Sequence, residues 1–301
     1  MTKRLLTIIS GQPLPNYIAI NELKPDVVHC IYTSNMKPRF DALKSVVQEK
    51  YPTIQFEEHA VIDPYDSLAV GKVGIELLDK FSNDEWHLNR SAGTEQMRAP
   101  LTAAFFEKFP GKFVTFFVES EKNQIAWISA AWARTEEAFK NSISVIDYFR
   151  LHGQTVKAGD PVNGTEKHLY NDLQRLSFDN LVASCKWTNH GIASAEYDIA
   201  ATWKYRLYVF ERKKLHVPGR YAAQTLEEQD MSVQHDIEKL AYTRAIFGGP
   251  YGQVYWLLSG TYVPKESIIN RMKPLSIHYL RGDNITNIVR DQQQLGLPPP
   301  R

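Results

Sequence analysis

The first half of the chain repeats one pattern: a short solid apolar run, a cluster of turn residues, then apolar residues at helical spacing. Residues 5–9 are the first run, and it stops at Ser10-Gly-Gln-Pro-Leu-Pro-Asn16. A run of that length bounded by turn residues predicts a strand buried on both faces. A helix is expected over 18–23, a second strand over 26–32 ending in Thr33-Ser34-Asn35, and a helix over 40–51 with Leu43, Val46 and Val47 on one side. Residues 54–62 form a third strand ending at Asp63-Pro64-Tyr65, before a helix over 67–81. A strand near 86–88 then opens into the loop 89–97 and an apolar helix, 101–106. Strands alternating with helices predict a doubly wound parallel sheet, whose ligands sit beyond the carboxyl ends of the strands. Residues 113–119 and 125–132 read as an appended hairpin, followed by a helix over 135–152.

The Gly, Pro and Asp content of 153–164 marks a boundary, giving domains 1–153 and 154–301. Beyond it a helix starts near Asn163-Gly-Thr-Glu166, with an apolar stripe of Leu169, Leu173 and Leu176 facing a core. A strand is expected over 181–187, a helix over 236–247 stopped by Gly248-Gly-Pro250, a strand over 254–259, a helix over 264–272 and a short strand over 275–279. The proline-rich residues 297–301 read as a frayed tail.

Between these lies 196–214, two β-rich runs joined by a tight turn. With the turn centred on Lys204 and Tyr205, Ala201 faces Tyr208, Ile199 faces Phe210, and Asp198 lies opposite Glu211. Opposed residues on antiparallel strands have Cβ atoms about 4.5–5.5 Å apart, so two like charges there destabilise the pair unless a cation lies between them. Alternation places Lys213 on the same face as Glu211, above Leu207 and Val209. Two carboxylates suit a hard metal, with an ammonium beside the water or phosphate to be activated. The alternative is a solvated hairpin end in which Glu196 pairs with Lys213. Glu166 in the first turn of its helix is either a dipole-complementing acid or a third carboxylate of the site.

Composition narrows the classes. The 301 residues are 43% hydrophobic and 12% aromatic, enough for substantial cores and against overall disorder. Net charge is +1, so nucleic-acid contact must come from local clusters. The strongest runs from Lys204 and Arg206 through Arg212, Lys213, Lys214 and His216 to Arg220; it is either a solvated face or a phosphate track. Two cysteines, Cys30 and Cys185, form no disulfide framework and no zinc spacing, which fits a reduced, cytoplasmic compartment. No apolar run reaches membrane-spanning length, and neither a GxGxxG nor a GxxxxGK[ST] nucleotide motif is present. The small residues of 89–97 ahead of a helix could offer N–H groups to phosphate, or be an ordinary strand-to-helix turn.

Three motifs in the first half carry a resemblance: Gln12-Pro-Leu-Pro-Asn16, Asn89-x-Ser-x-Gly-Thr-x-x-Met97, and Ser144-Val-Ile-Asp-Tyr-Phe-Arg-Leu-His-Gly153. Together they resemble a CARF domain, the sensor of cyclic oligoadenylate in type III CRISPR systems. The second half, with Glu196-x-Asp198, Glu211-x-Lys213 and Asp236-Ile-x-Lys239, resembles the PD-(D/E)xK nuclease domain fused to it in the ancillary nucleases. The resemblance implies a Rossmann-like CARF domain followed by a restriction-endonuclease-like α/β domain. It also implies a homodimer with cyclic tetra-adenylate spanning both sensor crevices, and metal-dependent cleavage of DNA or RNA, single-stranded or nicked.

Carried over residue by residue, the implied ligand contacts are Ser10, Gln12, Pro13 and Asn16, then Thr33, Ser34 and Asp63, then Asn89, Ser91, Gly93, Thr94, Gln96 and Met97. Asp198, Glu211 and Glu166 would hold Mn²⁺ or Mg²⁺, Lys213 would assist the attack, and Arg206, Lys214 and Arg220 would contact phosphates. The chain departs from the family loop N-x-T-G-G-T-K-x-M at Ser91, Ala92 and Glu95, which exchanges a cation for an anion beside the ligand. A non-catalytic module that sequesters or reports the nucleotide, or a sensor that cleaves its own ring, are the alternative functions.

Overall fold

The computed structural model describes residues 1–160, 164–189, 192–215, 225–248, 252–281 and 286–301. The chain divides into two compact units, Met1–Asn141 with Arg150–Gly153, and Ser142–Phe149 with Gln154–Arg301.

The first unit is the expected doubly wound sheet. Its elements are β1 (Lys3–Ile8), α1 (Leu14–Leu23), β2 (Val27–Thr33), α2 (Lys37–Lys50), β3 (Gln55–Val61), α3 (Ser67–Lys80), β4 (Glu85–Asn89), α4 (Glu95–Lys108), β5 (Thr115–Glu119), β6 (Gln124–Ile128) and β7 (Arg134–Ala138). Strand order is β3-β2-β1-β4-β5-β6-β7, parallel through β5 and antiparallel beyond. Order reverses at β1, between β2 and β4, which opens the crevice at their carboxyl ends. The apolar runs behave as the pattern requires: Leu5, Leu6, Val28, Cys30 and Ile31 are wholly buried.

The helix expected over 135–152 is not formed. Residues 134–138 add to β6 as β7, with Thr135 opposite Trp127, and only α5 (Val145–Leu151) is helical. The charged residues of this segment serve the sheet instead: Arg134 reaches Glu119 at 2.7 Å and Glu136 at 2.6 Å, and Glu137 accepts from the Trp127 indole at 3.3 Å. An unpaired β6 edge outweighs local propensity. The two units also divide between Gly153 and Gln154, but Ser142–Phe149, ahead of that point, belongs to the second.

The second unit contains β8 (Thr155–Gly159), α6 (Gly164–Leu173), β9 (Asn180–Asn189), β10 (Ile192–Trp203), β11 (Arg206–Lys214), α7 (Leu226–Thr243), β12 (Gly252–Ser259), α8 (Glu266–Met272), β13 (Ile277–Arg281) and α9 (Thr286–Arg290). The sheet runs β13-β12-β11-β10-β9-β8, with β11, β12 and β13 parallel and the rest antiparallel. The hairpin register matches the expectation, Ile199 against Phe210 and Ala201 against Tyr208. Its turn lacks glycine, so Lys204 takes φ 55°, and its N–H is held by the Asp179 carboxylate. Leu169, Leu173 and Leu176 are wholly buried against Ile199, Tyr208 and Phe210.

Two further differences have local causes. β8 occupies part of the expected linker, pairing with β9. α7 starts ten residues before the expected 236, because Thr225 and Glu228 close a capping box there. Gly249, Pro250 and the expected helix start at Asn163 lie outside the described residues.

The tail is not frayed. Leu297 is buried, the Pro299 carbonyl accepts from Ser177 N at 2.8 Å, Pro300 bridges Leu176, and the Arg301 guanidinium donates to the Leu176 and Phe178 carbonyls. Prolines cannot donate a backbone bond, but their carbonyls accept. Deleting residues 297–301 is expected to remove roughly 3–4 kcal/mol, from one buried leucine and the tail's hydrogen bonds, several of them partly exposed, lowering the thermal midpoint by several degrees. An unchanged midpoint in a calorimetric scan would show that the tail contributes nothing.

Candidate functional sites

In the first unit, loops at the ends of β1, β2, β3 and β4 enclose a cavity of about 340 Å³, lined by Ile9, Ser10, Gly11, Thr33, Met36, Pro64, Ser91, Ala92, Gly93, Thr94 and Met97. Of the residues that the motifs single out, Ser10, Thr33, Ser91, Gly93, Thr94 and Met97 line this cavity. Thr94 caps α4, accepting from Met97 N at 3.3 Å, and donates to the Pro64 carbonyl at 2.9 Å, which ties the β3 and β4 loops together. The amino terminus of α4 is therefore presented at the cavity wall, where its partial positive charge suits an anion.

Asn16 and Asn89 do not face the cavity. Both are wholly buried: Asn89 Nδ2 donates to Asn16 Oδ1 at 3.2 Å, Asn16 Nδ2 to the Ile8 carbonyl at 3.0 Å, and Thr7 Oγ1 to Asn16 Oδ1 at 2.9 Å. They lock β1, α1 and β4 at the reversal point and so shape the loops rather than touch a ligand. Pro13 is buried at the start of α1, and Gln12 Oε1 lies 3.2 Å from His152 Nε2. Ser34, Asp63 and Gln96 are exposed outside the lining, Asp63 accepting from Tyr65 N at 2.8 Å. Ile9, Gly11, Met36, Pro64 and Ala92 line the cavity without having been singled out; Gly11, Pro64 and Ala92 lie within the same loop motifs. Glu95, the anion in place of the family lysine, is paired with Arg98 at 2.8 Å and does not line the cavity.

In the second unit, β11 and α7 face each other through two crossed ion pairs. Glu211 Oε1 meets Lys239 at 2.7 Å, and Lys213 meets Asp236 Oδ2 and Ser232 Oγ, each at 2.7 Å. Residues 211 and 213 share a strand face, and 236 and 239 are one helical turn apart, so the two strand positions match two helix positions with charges reversed. Asp198 Oδ2 accepts from Arg212 N at 2.6 Å, and Glu166, buried on α6, accepts from Ser184 Oγ at 3.1 Å.

These carboxylates feel one another. Burial raises the Glu211 carboxyl to about 7, Lys239 opposing the rise while Asp198 and Asp236 reinforce it. Asp198 is likewise raised, first by burial and then by the Glu166 and Asp236 charges, against the Arg212 amide. Glu211 Oε2 is buried with no hydrogen-bond partner. An orphaned carboxylate oxygen among further acids is a donor that a hard divalent cation takes, so Glu211 keeps one oxygen free for the metal that the motif implies. Glu166, Asp198 and Glu211 nevertheless do not each bring one oxygen within 4.8 Å of the other two; among the described residues only His29, Glu57 and His59, in the first unit, form such a group.

Glu196 pairs with Lys186 at 3.1 Å and not with Lys213, so the solvated-end alternative is not what the hairpin adopts. The basic residues are not gathered. Lys214 is exposed beside Lys213, but Arg206 lies five residues from Glu211, about 16 Å along the strand. Arg220 and His216 lie outside the described residues. Asp236 and Lys239 were visible in sequence only as part of the late motif; their pairing depends on how α7 lies on the sheet.

No family model matches the chain, and no curated protein matches it. Solved structures do. Can2 from Sulfobacillus thermosulfidooxidans, in complex with cyclic tetra-adenylate, superposes with a TM-score of 0.77 at 16% identity over 98% of this chain and 97% of its own. Protein VC1899 from Vibrio cholerae gives 0.74 at 12% identity over 97% of each. A type III CRISPR defence DNA nuclease activated by cyclic oligoadenylate gives 0.62 at 13% identity, over 88% of this chain and 46% of that one. The chain therefore has the two-unit α/β fold of these proteins, with a doubly wound parallel sheet followed by a second mixed sheet.

Proposed function

We propose that the chain is a cyclic oligoadenylate-responsive, metal-dependent nuclease acting in type III CRISPR defence in the cytoplasm. The observation that carries this reading is the unpartnered, buried Glu211 Oε2 beside Asp198, with Lys213 on the same strand face. The fold shared with Can2, which was solved with cyclic tetra-adenylate, supports the sensor half.

The first unit takes the ring's phosphates at the amino terminus of α4. A cavity of about 340 Å³ is at the small end of ligand pockets, less than a four-nucleotide ring needs. Two copies related by a two-fold axis would share one ring between two such cavities.

In the second unit, Asp198 and Glu211, with Glu166 behind them, would hold Mn²⁺ or Mg²⁺. The ion when bound would supply Lewis-acid polarisation of the scissile phosphate and acidify a water. Lys213 stabilises charge developing on the phosphate, and Asp236 orients its ammonium group. Lys239 balances the charge of Glu211 and so eases its repulsion with the neighbouring acids. Lys214 contacts the substrate backbone. Ligand binding counts as activation only by favouring the competent arrangement of two nuclease units.

The test is incubation of the full chain with labelled single-stranded DNA, RNA and nicked duplex, with and without cyclic tetra-adenylate and Mn²⁺. Cleavage requiring both supports the proposal. Ligand binding without cleavage indicates a sequestering module instead, and loss of the ring by mass spectrometry indicates that the sensor degrades it.

A further inference from the structure

On the first unit's sheet, His29 of β2 and Glu57 and His59 of β3 each bring one ligand atom within 4.8 Å of the other two. The parallel register sets His29 opposite Glu57, and His59 follows two positions along β3, on the same face. His29 Nδ1 lies 3.1 Å from His59 Nε2 and 3.5 Å from Glu57 Oε2. Ligands about 2.0–2.1 Å from a tetrahedral ion stand roughly 3.3–3.4 Å apart. The two separations from His29 Nδ1 are close to that spacing, and the third, between Glu57 and His59, lies within 4.8 Å.

The surroundings prepare His29 for that role. Phe81 and Trp86 pack around its ring, with centroids 5.9 and 5.2 Å away. Burial, with the charges of His59, Arg4 and Lys80, drives its pKa down to about 3, so the imidazole is neutral, the form that ligates. His59 is also lowered, chiefly by burial. The Glu57 side chain is 43% exposed and leaves one side open for an ion and a solvent ligand to enter.

Arg4 stands behind the cluster, Nη1 3.1 Å from His29 Nε2, with its charge matched by Asp84 at 2.7 Å. A guanidinium only donates, so Nε2 accepts and the ring proton sits on Nδ1, aimed at His59. An ion at Nδ1 requires the ring proton to move to Nε2, and the Arg4 guanidinium then releases Nε2 while its Nε stays on Asp84.

We propose that His29, Glu57 and His59 bind a late first-row divalent ion, zinc foremost, which ties the edge strand β3 to β2. Two imidazoles and one carboxylate select such ions over Mg²⁺ or Ca²⁺, which take oxygen ligands. The site is thus chemically distinct from the all-carboxylate cluster of the second unit. β3 is the outermost strand of its sheet, and Pro64, five residues past His59, lines the cavity. The ion therefore anchors the strand that carries one wall of the cavity.

The test is a titration of the full chain, stripped with chelator, with Co²⁺ as spectroscopic probe and Zn²⁺ as competitor. Expected is a visible absorption band of a nitrogen-ligated, low-coordinate site that saturates at one equivalent, is displaced by Zn²⁺, and accompanies a rise in thermal midpoint. His59→Gln and Glu57→Gln, both at partly exposed positions, are each expected to weaken binding tenfold or more without altering the far-ultraviolet circular dichroism. Asp198→Asn is expected to leave the band unchanged. A wild-type chain with no such band, a band unaffected by His59→Gln, or one lost in Asp198→Asn overturns the proposal.

Discussion

Replacing Glu211 and Lys213 together with alanine is expected to reduce ligand-stimulated cleavage by about 1,000-fold or more, with ligand affinity within a factor of about two. The loss combines a carboxylate of the cation site with the ammonium group that stabilises phosphate charge, and single electrostatic groups of this kind commonly contribute 10²–10³ each. About 1,000-fold corresponds to roughly 4 kcal/mol of transition-state stabilisation. The double change is gentler on the fold than either single one. Glu211→Ala alone takes away the ion-pair partner of Lys239, and Lys213→Ala alone takes away that of the largely buried Asp236. Together they leave Asp236 and Lys239 one turn apart on α7, free to pair with each other. Single-turnover cleavage assays with Mn²⁺ measure the loss, and thermal unfolding checks the fold. Retained cutting by a folded double variant would remove the assigned nuclease centre.

Gly93→Ala is expected to weaken cyclic tetra-adenylate binding at least tenfold. Gly93 has φ 88°, and a Cβ there would fall 2.7 Å from Ile8 Cγ2 and 2.8 Å from Ile8 Cδ1. Ile8 is buried in the core of the first unit and cannot retreat without disturbing Leu88 and Met97. The left-handed backbone adds about 1–3 kcal/mol of strain and the overlap a similar amount. The loop must move, taking with it the Thr94 cap of α4 and the Thr94 to Pro64 bond. Gly111→Ala separates the two causes. Its φ is 78°, but nothing lies within 4 Å of the added Cβ, so it carries strain without collision and lies outside the cavity lining. Calorimetric titration of both variants decides the matter. Wild-type affinity in Gly93→Ala would mean the ring binds elsewhere.

The cavity illustrates how far residue pattern reaches. Loop positions after four buried strands follow from the apolar runs alone, because a doubly wound sheet gathers its carboxyl ends on one side. That Asn16 and Asn89 turn inward while Ser91 and Thr94 line the space does not follow. The two asparagines are drawn to each other and to Thr7 across three elements, and only their assembly removes all those polar groups from water together.

The failed helix over 135–152 and the docked tail have one origin. Arg134 to Glu137 fold back on β6 across a short loop, Pro299 and Pro300 dock beside the distant Leu176, and no helix propensity encodes a vacant edge or an open carbonyl.

By itself the sequence determined the alternation of elements in the first unit and the hairpin with its register from Ile199 opposite Phe210 onward, because each depends on side-chain periods of 3.6 and 2 and on one turn. Only the tertiary structure decided that α7 lays Asp236 and Lys239 against Lys213 and Glu211, and that His29 meets Glu57 and His59 across β2 and β3. Those pairings depend on how separate elements dock, and docking is set by the burial of surfaces whose residues lie tens of positions apart.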